Sequence, residues 1–175
     1  MRLPVLSIAS FTLAFAGCAN LAPLPDASTV PHATLASSHI DVDGDRVDLF
    51  RYLVVDGHDV IDPTDLSIKS VEIDHHVLLA AGRNAHVDID ALAYYGNGAR
   101  RLFWDPMHVQ GSIDFVPAAD ASYVVRGTLT PERSTVWVED SATHQVVGKK
   151  VSAPGRGASA AEAAAQAASA AEAQE

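Results

Sequence analysis

Three groups of residues have types and spacings that suit chemistry, and each suits a different one. The first is a histidine and carboxylate face. His86, Asp88 and Asp90 stand at alternate positions, and His75 and His76 lie just upstream, in a chain with eight histidines. Two ligands at i and i+2 on a strand lie about 6 to 7 Å apart and can flank one ion, so the pattern suits Zn²⁺ or Cu²⁺. Adjacent His75 and His76 point to opposite faces, so only one of them joins His86 and Asp88; His76 is taken as that third ligand. The competing reading is the ordinary polar outer face of a sheet. His32, His39, His58, His108 and His144 show no ligand spacing.

The second group lies between Tyr94 and His108, where Arg100 and Arg101, the only paired arginines, stand close to Phe103 and Trp104. Aromatic residues and arginine are enriched where proteins bind partners, and a long connection on a rigid scaffold is a usual place for recognition. Arg100, Arg101, Phe103 and Trp104 are therefore the candidate binding residues. Alternatively, Phe103 and Trp104 plug one end of the core while the arginines pair with nearby acids. The third group, Asp41, Asp43 and Asp45, opens like a calcium loop. Its sixth place is Arg46 instead of Gly and its twelfth is Tyr52 instead of Glu, which excludes an EF-hand and leaves a looser cation site or an acidic turn.

Nucleophilic catalysis has no comparable footing. There is no GxSxG elbow, SxxK, HExxH or glycine-rich phosphate loop, so the sequence points to no enzyme and no cofactor. Twelve basic against 22 acidic residues give a net charge of −10, which repels a phosphate backbone and argues against a nucleic-acid partner. A single cysteine, Cys18, excludes an internal disulfide and a thiolate zinc site.

The elements that must position these residues are strands. Ala85, Val87, Ile89, Ala91 and Ala93 are apolar while His86, Asp88 and Asp90 are polar, the alternation of a half-buried strand. Further strands are expected over 47–55, 68–79, 109–116, 122–129, 135–139 and 145–151, each rich in β-branched or aromatic residues. Asp43-Gly44, Asp56-Gly57, Gly82, Asn97-Gly98, Asp120 and Pro131 supply turn chemistry between them. About seven short strands predict an all-β fold, a single small antiparallel β-sandwich over residues 38–153. Trp137 alternates with Val136 and Val138, so one of the two faces is core; the scarcity of aromatics favours Trp137 there, while an outward Trp137 would instead extend the binding surface.

The ends read differently. Residues 18–37 contain Pro23, Pro25 and Pro31 without an apolar period, as a tether would. Residues 154–175 open on Pro154-Gly155-Arg156-Gly157, and 158–175 hold eleven alanines, giving a frayed helix or a disordered tail with no large side chain to bury. Residues 1–17 combine one positive charge, Arg2, with an apolar run too short for a confident membrane span.

That run ends in Leu13-Ala14-Phe15-Ala16-Gly17-Cys18. It resembles the lipobox of bacterial lipoproteins, with Ala16 and Gly17 at the small positions and Phe15 where Leu is usual. The resemblance implies cleavage before Cys18, lipidation of that cysteine, and attachment of the mature chain to a membrane by its acyl chains. Ala19 stands where an inner-membrane retention signal would carry Asp, which implies an outer-membrane destination in a two-membrane cell, with the domain facing the periplasm or the surface. The domain itself resembles transthyretin-like or PEGA-like modules of envelope proteins in Val54-Val55-Asp56-Gly57, Leu79-Ala80-Ala81-Gly82-Arg83 and Ala121-Ser122-Tyr123-Val124-Val125. It departs from them in the long stretch from Tyr94 to Met107, and no binding residue is carried over. The expected function is that of a lipid-anchored, non-catalytic binding or structural module with an envelope protein partner. The alternative is a periplasmic metal-binding lipoprotein.

Overall fold

The computed structural model describes residues 24, 30–61, 76–96 and 107–155, and among them every regular element is a strand. In chain order these are β1 His32–Ala36, β2 Ser38–Asp43, β3 Arg46–Val55, β4 His58–Asp59, β5 His76–Ala80, β6 Ala85–Tyr95, β7 His108–Phe115, β8 Ser122–Leu129, β9 Arg133–Asp140 and β10 Val146–Pro154. They form two sheets. The first runs β10-β9-β8-β1-β5; the second runs β2-β3-β6-β7, with β4 paired to β3.

The period of two explains the core. In β6, Ala85, Val87, Ile89, Ala91 and Ala93 all turn inward, as the alternation requires, and Tyr95 extends the row. They meet Val125, Val136 and Val138 of the facing sheet in one cluster, where each fully buried Val or Ile side chain contributes roughly 1.5 to 3 kcal/mol. Phe115 and Tyr123 pack edge to face with centroids 5.1 Å apart. Burial pushes the Tyr52 phenol up to about 12. Two polar contacts also join the sheets: Ser38 Oγ donates to the Val125 carbonyl, and Arg46 Nη2 donates to the Leu129 carbonyl at 2.8 Å.

Close approach of the sheets depends on Gly127. A Cβ there would lie 2.6 Å from the Phe50 ring and 2.6 Å from the Thr135 carbonyl oxygen. The turn after β3 is set by Asp56 and Gly57, both with positive φ (49° and 83°), as a tight two-residue hairpin turn demands.

Several expectations change. β1 falls within the stretch read as tether, yet Ala33 and Leu35 are buried and β1 sits between β8 and β5, so the domain starts before residue 38. Leu24 also packs against the core. β1 pairs with β8 in parallel, through Thr34 with Ser122 and Ala36 with Val124, so the strand set is not wholly antiparallel. The acidic turn after Ile40 is the tip of the β2–β3 hairpin, with Asp43 Oδ1 accepting from the amides of Asp45 and Arg46 at 2.9 Å each. Trp137 is not in the core: Val136 and Val138 point inward, and Trp137 takes the outer face.

Candidate functional site

β3 breaks the alternation, since Asp48 through Leu53 are buried in succession. Phe50 and Tyr52 face the other sheet, so Leu49, Arg51 and Leu53 lie on the outer side. Registration places Arg51 opposite Asp90 of β6 and Leu49 opposite Leu92. Arg51 Nε donates to Asp90 Oδ1 at 3.0 Å and Nη2 to Oδ2 at 2.6 Å, a bidentate pair in which the two residues are 1% and 2% exposed. His108 Nε2 lies 3.8 Å from Asp90 Oδ2. Burial alone would raise the Asp90 carboxyl, but His108 and the Arg51 guanidinium together outweigh it and hold the group below the ordinary carboxylate range.

The same face becomes wet toward β7. His86 lies opposite Asp114 and Asp88 opposite Ser112. His86 Nδ1 sits 2.9 Å from Asp114 Oδ1, and Nε2 lies 3.6 Å from Asp88 Oδ1. The hydrogen bond to His86 is the main reason that Asp114 titrates below its usual value. Ser112 Oγ donates to Asp88 and not to the imidazole, so His86 does not activate that hydroxyl as a nucleophile.

The expected metal trio does not assemble. β5 and β6 are consecutive in the chain but belong to different sheets, which separates His76 from His86 and Asp88. Asp114 does not replace His76, because the two imidazole nitrogens diverge and each faces its own carboxylate. Among the described residues no group of three or more His, Cys, Asp or Glu side chains is placed to hold an ion. The candidate binding residues Arg100, Arg101, Phe103 and Trp104 lie outside the described residues, as do His75, Cys18 and the lipobox.

The outer face of the first sheet carries a second cluster. Arg126 of β8 lies opposite Trp137 of β9, and a register break in β10 between Val147 and Val151 brings Lys150 over the indole, with Nζ 4.3 Å from the ring centroid. Trp137 Nε1 donates to Glu139 Oε2 at 3.1 Å, while Arg126 Nε and His144 Nδ1 approach Glu139 Oε1 at 3.5 and 3.4 Å. Burial raises the Glu139 carboxyl, but Trp137, His144 and Arg126 together bring it below its usual value. A solvent-facing aromatic held between two cations can stack on, or settle against, an extended anionic or amphipathic surface.

Sequence reasoning singled out Asp90 and Trp137 but not the partners that the fold gives them. Arg51 was legible as a lone charge inside Leu49-Phe50-Arg51-Tyr52-Leu53, the continuous run of a strand buried on both faces. Lys150 carried no such signal, since only the break in β10 aligns it with Trp137. No protein-family model, curated protein or solved structure matches this chain.

Proposed function

We propose that this protein is a lipid-anchored lipoprotein of the cell envelope, built on one small β-sandwich and acting as a non-catalytic binding or structural module. Cys18 carries the anchor in the outer membrane, the domain faces the periplasm or the surface, and an envelope protein is the partner. One juxtaposition supports the reading: the export-type run ends on the sole cysteine, and only six residues later Leu24 packs against the core of a domain. The ionisable side chains described above lock strands together in pairs, which suits a scaffold.

The test is Cys18→Ser. The wild-type chain is expected to sediment with membranes and to carry acyl chains on Cys18 by mass spectrometry, and the variant to lose both. A variant that still fractionates with membranes overturns the anchor. Crosslinking in intact cells, with the same variant as control, tests the partner: a specific envelope protein captured only by the wild type is the expected result.

A further inference from the structure

Charge is distributed unevenly over the two sheets. Among the described residues, 122–155, which contain β8, β9 and β10, hold four Lys and Arg against three Asp and Glu; the remaining described residues hold three against ten. Trp137 stands in the less acidic region, on the outer face, with Arg126 and Lys150 beside it and the hydroxyls of Thr135 and Ser152 paired nearby at 2.9 Å. Tryptophan with lysine and arginine is the residue set that settles at a membrane's headgroup layer, and a negative surface potential attracts such cations within a Debye length.

The chain also has little freedom to carry the domain away from its anchor point. Leu24 packs against the core, so only five residues lie between Cys18 and the globule, a reach of about 20 Å at full extension. The chain then enters the fold through β1, a strand of the same sheet that presents Trp137.

We propose that the outer face of β8, β9 and β10 is the side this domain turns toward an anionic phospholipid surface, with Trp137 at the contact and Arg126 and Lys150 flanking it. The inference rests on anchoring at Cys18 for its biological setting and deepens that reading. The acidic second sheet is repelled by the same potential, so both halves of the charge pattern favour one orientation, and a tether removes most of the cost of bringing the domain to the surface.

Because Cys18 is the only cysteine, the mature chain 18–175 can be coupled through it to a maleimide lipid, which makes the test independent of lipidation in the cell. With Trp104→Phe, Trp137 is the only indole, and its quenching by a headgroup spin label reports its distance from the surface. Quenching is expected to be at least twofold stronger in vesicles with one-third phosphatidylglycerol than in pure phosphatidylcholine. It should fall toward the zwitterionic level in 0.5 M salt or in Lys150→Gln, a variant that leaves Arg126, Glu139 and His144 in place. Equal quenching in both vesicles, or a lysine variant that folds and quenches like its parent, overturns the proposal. Tight binding of a soluble anionic polysaccharide by the uncoupled chain, with no dependence on lipid charge, assigns the face to a glycan instead. Absence of acyl chains on Cys18 in cells sinks the anchor reading alone.

Discussion

On the outer face of the β2-β3-β6-β7 sheet a guanidinium and a carboxylate leave water together, whereas on the outer face of the other sheet Trp137 and its charged neighbours remain in contact with it. Both are cross-strand pairs, Arg51 with Asp90 and Arg126 with Trp137. Their energetic weight differs because of solvent. A buried pair is costly to assemble and more costly to break, since either partner left alone keeps a desolvated charge; a wet pair is screened and replaceable. The first face serves stability, and the second remains open to contact.

The largest expected effect follows from that contrast. Arg51→Ala or Asp90→Ala should each lower unfolding stability by about 3 to 5 kcal/mol in a urea titration. The double variant Arg51→Met/Asp90→Leu should recover most of the loss, because no uncompensated charge remains. A double variant as unstable as the singles would show that the face needs ionic groups. Next in size is Gly127→Ala, whose methyl meets the Phe50 ring and a backbone carbonyl; a loss of about 1 to 3 kcal/mol is expected, and an unchanged midpoint would mean that the sheets separate freely there.

Acid acts on two buried carboxylates with opposite signs. The folded state holds Asp90 below the ordinary carboxylate range, so its contribution is present above the unfolded value of about 4 and is lost as pH falls through the lower folded value. Asp48 has the opposite sign. Burial raises its carboxyl despite the Arg46 fork at 2.7 and 2.8 Å, so the folded state holds that proton more tightly and protonation favours folding as pH falls. Stability curves of Asp90→Asn and Asp48→Asn between pH 3 and 7 should therefore change slope in opposite directions; curves that change together refute the assignment. The smallest effect belongs to Trp137→Ala, expected to cost about 1 kcal/mol or less because it removes a wet cation–π contact, while Val138→Ala on the inner side of the same strand costs more.

How far the sequence discloses this molecule follows from which forces are local. Strand 122–129 and the 85–93 part of β6 were legible because one face is apolar and the other polar, and their turns carry Gly, Asp or Pro at positions that need them. β1 was not, since Ala33, Thr34 and Leu35 acquire their burial from β8 and β5, far away in the chain. The split of His76 from His86 was equally hidden, because strands adjacent in sequence ordinarily pair and these cross between sheets instead. Trp137 misled for a different reason: scarcity of aromatics says nothing about which side of a strand an indole takes.

The place of β1 has a consequence for the order of assembly. Ser122, opposite Thr34 of β1, is 88 residues away, and β1 lies between β8 and the edge strand β5. The sheet therefore cannot close as the chain first emerges; its early strand must wait until most of the polypeptide has appeared. Such high contact order makes folding slow. A chain that closes late stays threadable for longer, a useful property for any protein that has to pass through a narrow pore before it folds.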